Sequence, residues 1–377
     1  MAPATVGKCC VCATETTQRC SKCSEGVDHH GTASATYYCN KDCQKADFKH
    51  HKSVCHDANA RKQLYRGAAL LQEAFYIFRR TVFVYPISDV RRKNGELHIE
   101  VPLFPTGPSP LYPFPEHLVP AESDQHAVLA YSACLDAVGY MHQLAKKVFQ
   151  GILSPLSVCL QERDFHLKEE HRKVVRCRAD GTEERNTFAH TVLLVTLRND
   201  DVYVVDLAGA QFGQHRPVML FPTYLTQYVS MVWSCREFGH EARVQQEVLD
   251  GKHNHVLPNV FDFKASMIEK AVIDALDGAV CQWQTEEGMS VAELLNGKQS
   301  AFESGKRSLL NICKDKMHGH IQSRECLIAR EREIDNKGGI GVQAKEKMKI
   351  DAYPEHMHAF IQTRLWLTTE AHRLGWV

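Results

Sequence analysis

Hydrophobic residues recur at steps of three and four positions between residues 56 and 82, which predicts an amphipathic helix. The positions that set this spacing are Leu64, Ala68, Leu71, Phe75 and Phe78. The predicted helix follows directly on a cysteine-rich N-terminal segment. We therefore expect it to join that segment to the rest of the chain.

Helical spacing returns in the middle and at the end of the chain. Residues 123–150 predict a helix with Ser123 as its N-cap. Its apolar face would comprise Val128, Leu129, Leu135, Val138, Leu144 and Val148. From residue 261 onward the pattern predicts a helical C-terminal region, with helices over 261–282, 300–335 and 355–373.

A different pattern lies between these helical regions. Two runs rich in β-branched residues, 187–197 and 202–206, flank the polar turn residues 198–201. Such runs around a short polar turn predict a β-hairpin. We expect this hairpin to be central to an α+β domain.

Proline marks one boundary. Residues 97–122 hold seven of the fourteen prolines in the chain, and proline fixes φ and removes a backbone donor, so a linker is predicted there. The predicted organisation is an N-terminal module over 1–60, a connecting helix over 61–96, the proline-rich linker over 97–122, an α+β domain over 123–260 and a helical region over 261–377.

Composition narrows the class of protein. The chain is 44% hydrophobic, and its 45 basic residues balance 45 acidic ones, so neither nucleic acid nor an anionic membrane is an expected direct partner. No apolar run reaches the roughly 18–20 residues of a membrane span, and the first residues lack a signal-peptide core. The sequence predicts a protein of the cytoplasm, the nucleus or both.

Cysteine gives the strongest chemical signal. Eight of the fifteen cysteines fall in the first 55 residues, beside histidines. In a reducing compartment such a cluster favours a metal site over disulfides. Eight residues have zinc-ligand spacing: Cys9, Cys12, Cys20, Cys23, Cys39, Cys43, His51 and Cys55. Four protein ligands per ion leave no position for water, so these residues predict two structural Zn²⁺ ions.

The order of these ligands resembles the MYND-type zinc finger. Tyr38 before Cys39, Gln44 after Cys43, and Phe48 before His51 fit the pattern of that family. The resemblance implies interleaved, cross-braced ligation: Cys9, Cys12, Cys39 and Cys43 on one zinc, and Cys20, Cys23, His51 and Cys55 on the other. The Cys23–Cys39 interval is longer than is common in the family, and Phe48 replaces its usual tryptophan.

The expected fold is therefore a small two-zinc MYND-type finger, then an α+β domain and a helical C-terminal region. The resemblance implies binding to other proteins, through a peptide groove that would map onto Gln44 and Phe48 and accept proline-containing segments. It also suggests a regulatory role in transcription or protein turnover. On this interpretation the protein is an adaptor and has no catalytic residues.

An enzymatic alternative remains open. His190 and Asp206 in the predicted hairpin resemble the His/Asp pair of transglutaminase-like and arylamine N-acetyltransferase-like cysteine enzymes. The nucleophile would be Cys134 or Cys159. Cys134 is expected three turns into a helix rather than at its start, and a regular hairpin would place Asp206 opposite Leu193, about 10 Å from His190 along the strand. Both expectations oppose a catalytic set.

Overall fold

The computed structural model describes residues 6–101, 111–153, 159–178, 181–184, 189–250 and 260–338, with side chains omitted at 260–264 and 323–338. The predicted helix over 355–373 lies outside the described residues. Among the described residues, no helix is both long and apolar enough to cross a membrane.

The N-terminal segment contains only short elements of secondary structure. Strands β1 (Gly7–Lys8) and β2 (Glu15–Thr16) pair, and helix α1 (Lys41–Ala46) follows. Asn40 caps α1 by accepting a hydrogen bond from the backbone N–H of Cys43 at 2.9 Å. Few large apolar side chains are buried here, so this segment needs stabilisation other than a hydrophobic core.

Helix α2 (Phe48–Thr81) joins the N-terminal segment to the main core without a break. Its first turns carry His51 and Cys55, and its later turns bury Leu64, Leu71 and Phe75. The helical spacing of the sequence therefore predicted about the C-terminal three quarters of α2, residues 56–81. One continuous helix carries both the cysteine-rich segment and the central packing of the body.

The region predicted as one helix over 123–150 forms three. They are α3 (Glu122–Ala130), α4 (Cys134–Gly139) and α5 (His142–Gln150). Ser132 breaks the first run because its backbone is left-handed, with φ +53°. Ser123 lies inside α3, and Ala121 is the N-cap residue. The break places Cys134 at the first position of α4 rather than in the middle of a helix.

Two larger sheets form the β structure of the body. The five-stranded sheet has the order β10-β9-β8-β5-β11 and is antiparallel throughout, while the four-stranded sheet has the order β3-β4-β6-β7 with β4 and β6 parallel. The strands are β3 (Asp89–Lys93), β4 (Glu96–Glu100), β5 (Leu160–Leu167), β6 (Val174–Cys177), β7 (Glu183–Glu184), β8 (His190–Thr196), β9 (Val202–Val205), β10 (Val218–Leu220) and β11 (Val229–Glu237). Strand β4 overlaps the start of the proline-rich segment, which also buries Leu111 and Val119 in the core.

The predicted hairpin is formed by β8 and β9, with a register one residue from the expected one. Leu193 is opposite Val205, not Asp206. The cause is a three-residue turn in which Asp200 adopts a left-handed backbone with φ +64°, so that Leu197 pairs with Asp201. Asp206 therefore lies just beyond the end of β9.

Helices complete the fold. Helix α6 (Phe221–Tyr228) precedes β11, and α7 (His240–Leu249) follows it. The C-terminal region contains α8 (Val260–Glu287), α9 (Val291–Asn296) and α10 (Gln299–Gly338). A capping box between Ser290 and Glu293 begins α9. The helical C-terminal region and the mixed helix and sheet content agree with the sequence-based fold class.

Candidate metal and thiol sites

The N-terminal segment brings eight metal-ligating side chains together in two groups. Within each group the ligand atoms all lie within 4.8 Å of one another. The groups are Cys9, Cys12, Cys39 and Cys43, and Cys20, Cys23, His51 and Cys55. This grouping agrees with the interleaved ligation that the family resemblance implied. Each group could hold a metal ion, consistent with a zinc finger.

The distances between ligand atoms fit a tetrahedral ion. Cys12 Sγ lies 3.4 Å from Cys39 Sγ and 3.9 Å from Cys43 Sγ. Four thiolates at about 2.3 Å from a Zn²⁺ ion would be about 3.8 Å apart. In the second group Cys23 Sγ lies 3.4 Å from His51 Nε2. Both groups are therefore compact enough to coordinate one ion each.

Electrostatics of the thiols also favour a cation. Burial and the charges of Cys23 and Cys20 raise the pKa of Cys55 to about 12. The hydrogen bond with Cys39, together with burial, raises the pKa of Cys43 to about 12. Neighbouring thiols are difficult to deprotonate together because the resulting thiolates repel one another. A divalent cation offsets this repulsion and favours the deprotonated thiols.

Polar contacts outside the two groups fix the finger. Tyr38 donates a hydrogen bond of 2.7 Å to Asp47 Oδ2, and the Cys10 thiol donates to the same oxygen at 3.4 Å. Cys10 thus belongs to neither ligand group. The long interval between Cys23 and Cys39 contacts the body, because His29 Nδ1 lies 3.0 Å from the hydroxyl of Tyr203 on β9.

A second cluster of reactive side chains lies in the body, around Cys134. The Cys134 side chain is partly exposed at the start of α4, and its thiol is 3.8 Å from the carbonyl oxygen of Ala189. Ala189 directly precedes His190, the first residue of β8. Packing of α4 on β8 therefore places the thiol and the imidazole at one pocket.

His190 is held by Asp206. Its Nε2 lies 2.9 Å from Asp206 Oδ2, and both side chains are buried. His190 Nδ1 makes no regular hydrogen bond to any residue that the structure describes. The Cys134 thiol is nevertheless close enough to influence the ring electrostatically. Thiol–imidazole contacts of this kind are often long before substrate binds.

The pKa of His190 reflects these neighbours. Burial alone would lower the pKa, but the charge and hydrogen bond of Asp206 outweigh burial, and Cys134 adds to their effect. Together they raise the pKa of His190 to about 10. The site is therefore built to hold an imidazolium, which is the form that stabilises a neighbouring thiolate.

Asp206 is itself fixed by three hydrogen bonds. Besides the contact with His190, Tyr224 donates its hydroxyl to Oδ2 at 3.0 Å, and the backbone N–H of Ala208 donates to Oδ1 at 3.2 Å. Gly209 lies so close that a Cβ there would be 2.7 Å from Asp206 Oδ2. The carboxylate thus has one orientation, directed at the imidazole.

Gln211 fixes the turn before Cys134. Its Oε1 accepts a hydrogen bond from the backbone N–H of Ser132 at 3.1 Å, and its Nε2 donates to the carbonyl of Ala208 at 3.1 Å. Gln211 thereby connects the left-handed Ser132 to the segment after Asp206. Backbone strain of this kind concentrates at functional sites.

The cavity around the thiol has a volume of about 50 Å³, which is below the roughly 300–1,000 Å³ of drug-sized ligand sites, so it fits only a small group. Phe212 closes one side of it, with the centres of the Phe212 and His190 rings 4.9 Å apart in an edge-to-face arrangement. The residues that line it are Tyr131, Ser132, Cys134, Arg172, Val174, Ala189, His190, Gln211 and Phe212.

The structure separates the two cysteines proposed as alternatives. Cys134 lines the pocket with His190, whereas Cys159 packs against the main core beside Leu160. Leu160 pairs with Val195, five residues along β8 from His190, or about 17 Å. Of the two, only Cys134 is near His190 and Asp206.

The sequence analysis did not identify several polar and aromatic residues of this site, among them Arg172, Gln211, Phe212 and Tyr224. Gln211 and Phe212 follow Asp206 closely, so their proximity to the hairpin was a usable signal. Arg172 and Tyr224 reach the site from other elements, and no local pattern identifies them.

Comparisons with family models, curated proteins and solved structures found no match for this chain.

Proposed function

We propose that this protein is a cysteine-dependent acyltransferase or hydrolase, with a two-zinc finger fixed to its catalytic body. The observation that carries the proposal is the arrangement of Cys134, His190 and Asp206 at one pocket. Nucleophile, base and orienting carboxylate in this order form the arrangement used for covalent acyl transfer.

The proposal departs from the adaptor expected from the sequence, which had no catalytic residues. Two premises of that expectation differ in the structure. Cys134 begins a helix because Ser132 breaks the preceding one, and Asp206 reaches His190 because the hairpin has a different register. Neither obstacle to a catalytic set remains.

In the proposed reaction the Cys134 thiolate attacks a carbonyl carbon and forms a C–S bond. The proton of the thiol lies on His190, which passes it to the departing amine or alcohol as the original acyl bond breaks. Water or an acceptor amine, deprotonated by His190, then attacks the thioester and releases Cys134. Asp206 keeps Nε2 protonated and the ring oriented throughout.

Acylation of the full-length protein with p-nitrophenyl acetate tests this proposal. We expect a burst of nitrophenol and an acetyl group on Cys134 by peptide mass spectrometry. Both signals should be lost in Cys134→Ser and strongly reduced in His190→Ala. Cys159→Ser is the matched control and should behave as the native protein. Equal acylation of native protein and Cys134→Ser would refute the proposal.

The metal sites enter the same proposal as structural zinc. Four protein ligands in each group leave no open coordination position, so zinc there would stabilise the finger rather than take part in chemistry. Atomic spectroscopy should give a ratio near two zinc ions per chain. A ratio near zero in protein purified without chelator would contradict this part.

A second candidate function is binding of a partner protein by the finger, in the MYND manner. The specific observation is Phe48, which is 59% exposed at the start of α2 and does not fill the small core of the finger. An exposed aromatic ring next to Gln44 could pack against a proline-containing peptide. A role in transcription or protein turnover would follow from the identity of such a partner.

Peptide binding tests this second function. A fluorescent peptide containing P-x-L-x-P should bind the native protein and lose affinity on Phe48→Ala. Val54→Ala removes an equally exposed side chain on the same helix and serves as the control. Absence of binding by native protein, or equal loss in both variants, would count against a peptide groove at Phe48.

A further inference from the structure

A lysine and a cysteine meet at the surface between α5 and α8. The ammonium of Lys147 donates a hydrogen bond to the Cys281 thiol at 3.7 Å, and the two residues are 134 positions apart in the chain. Cys281 is exposed and Lys147 is partly exposed, so a small reagent can reach both from the solvent. The contact therefore brings a sulfur and an amine nitrogen from two different helices to one accessible place.

The packing beneath this contact fixes the two helices. Val148 follows Lys147 on α5, and Val280 precedes Cys281 on α8; both valines are fully buried in the main core. Helices α5 and α8 are also in direct contact. Because a close-packed core holds the backbone on both sides, the separation of Lys147 and Cys281 does not depend on the conformation of a loop.

A carboxylate also acts on the ammonium. Asp277 lies one turn before Cys281 on α8, and burial together with the charge of Asp274 raises the pKa of Asp277 to about 6. The charges of Lys270 and Lys147 oppose that rise. Asp277 Oδ1 is buried and makes no hydrogen bond to any residue that the structure describes. A thiol and a carboxylate on one face of α8 therefore both attract the Lys147 ammonium.

This setting favours oxidation of the sulfur. Oxidants select exposed thiols, and a neighbouring cation stabilises the thiolate that reacts. Among the side chains that the structure describes, the exposed cysteines outside the finger are Cys235 and Cys281. Cys235 is paired with Arg163 on β5, and a guanidinium stays protonated and is no nucleophile. Of the two, Cys281 has an amine within hydrogen-bond distance of its sulfur.

We propose that Cys281 and Lys147 form a peroxide-sensitive modification site, at which oxidation joins the two side chains through a sulfenamide bond. This inference is independent of the proposed function. In the first step the Cys281 thiolate attacks one oxygen of hydrogen peroxide and is oxidised to a sulfenic acid. The S–O bond forms, the O–O bond breaks, and the departing hydroxide takes up a proton and becomes water.

The amine of Lys147 completes the link. After the ammonium has lost one proton to the solvent, its nitrogen attacks the sulfenic sulfur. The S–N bond forms, the S–O bond breaks, and the departing hydroxide takes a proton from the nitrogen and leaves as water. The thiol and the amine thus lose one hydrogen each, and hydrogen peroxide is reduced to water. The product attaches α8 covalently to α5.

Hydrogen peroxide added to the full-length protein tests the site, with peptide mass spectrometry as the measurement. We expect the peptides that contain Lys147 and Cys281 to be joined, and lighter by two hydrogen atoms than the separate peptides together. Dithiothreitol should release them, because a thiol cleaves the S–N bond. Cys235 is the internal control, since it is also exposed and should gain oxygen without a link to an amine.

Lys147→Arg should abolish the link and increase the sulfinic acid at Cys281, because the sulfenic acid then has no amine to react with. Lys146→Arg changes the neighbouring exposed lysine on α5 and is the matched control, which should keep the native yield. If native protein gives no linked peptide and as much sulfinic acid as Lys147→Arg, the proposal is wrong. A link at Cys281 that persists in Lys147→Arg would overturn it as well.

Thermal unfolding gives a second measurement. A bond between Lys147 and Cys281 closes a long loop and restricts the unfolded chain, so the linked protein should unfold at a higher temperature than the reduced protein. Dithiothreitol should remove the increase, and peroxide should not produce it in Lys147→Arg. Peroxide-treated native protein that unfolds at the same temperature as peroxide-treated Lys147→Arg would contradict a link between the two helices.

Discussion

The finger and the pocket around Cys134 are both built from cysteine and histidine, but they are assembled in different ways. The metal ligands come from one stretch, residues 9–55, in pairs three or four residues apart. The second group combines Cys134 on α4 with His190 and Asp206 of the β8–β9 hairpin, which lie 56 and 72 residues further along the chain. Local spacing brings the first group together, whereas helix breaks and sheet register bring the second together.

The two regions also differ in what stabilises them. The finger buries few large apolar side chains, so we expect its order to depend on metal binding. The pocket lies against a hydrophobic core that includes Leu71, Phe75 and Phe149. Removal of metal and removal of core contacts should therefore affect different parts of the molecule.

The largest expected effect is on the finger. Cys55→Ser removes a buried ligand of the second metal group, where metal binding contributes about 10–16 kcal/mol. We expect the loss of one zinc ion per chain and of amide protection in the finger, while the five-stranded sheet stays protected. Zinc analysis and hydrogen exchange measure both. Cys10→Ser, outside both groups, should retain two ions, and unchanged zinc content in Cys55→Ser would contradict the assignment.

The next largest effect is expected at the pocket. Asp206→Asn should slow acylation of Cys134 about 10³–10⁴-fold, because the amide no longer stabilises the imidazolium or fixes its tautomer. Single-turnover acylation measures the change. Asp201→Asn, at the other end of the hairpin, is the control and should keep the native rate. A loss below tenfold in Asp206→Asn would argue against its orienting role.

Asp206→Asn should also change how the free energy of unfolding depends on pH. The pKa of His190 is raised to about 10 in the folded state, above the unfolded value of about 6.5. Its stabilising contribution is therefore fully present below pH 6.5 and lost as pH rises towards 10. Asp206→Asn should flatten this loss, because burial alone lowers the pKa of His190. Urea unfolding at pH 6 and pH 10 compares the two proteins.

An ion pair beneath α4, with Arg79 buried and Asp136 partly exposed, should come third. Arg79 is 1% exposed and donates to Asp136 on α4 at 2.9 Å. Arg79→Leu leaves that carboxylate without its partner, at a cost of about 3–5 kcal/mol in the free energy of unfolding. Denaturant unfolding measures it. The neighbouring Arg80→Leu breaks a more exposed pair with Glu116 and should cost below about 1 kcal/mol. If Arg79→Leu and Arg80→Leu lower the free energy of unfolding by the same amount, the burial of Arg79 does not strengthen its ion pair.

The smallest effect is expected at Ser132, in the turn that precedes Cys134. Gln211→Ala removes the acceptor for the Ser132 N–H, which should cost about 1–3 kcal/mol in the free energy that holds this turn in place. We expect the displaced turn to slow acylation of Cys134. Ser132→Gly in the same protein should restore part of the rate, because glycine adopts φ +53° without strain. Gln214→Ala, a buried glutamine outside the pocket, is the control. If Ser132→Gly does not restore any of the acylation rate in the Gln211→Ala protein, Gln211 does not act by holding the backbone of Ser132.

Sequence patterns predicted features that depend on near neighbours. Helix α2 follows from apolar positions at steps of three and four, and the hairpin from β-branched runs around a polar turn. Strands β3 to β7 and β11 carried no alternation clear enough to identify them. Edge strands and strands with charged residues become extended because they pair with neighbouring strands. Local sequence propensity does not record that pairing.

The sequence by itself predicted the two groups of residues that could hold metal ions, because their spacing on turns and helix faces is a local geometric property. It also supplied His190 and Asp206, but it misplaced their register and the setting of Cys134. Those depended on two left-handed residues, Ser132 and Asp200, each a non-glycine residue held there by its surroundings. Tertiary structure alone decided that Cys134, Arg172 and His190 share one pocket, since packing between distant segments has no trace in local spacing.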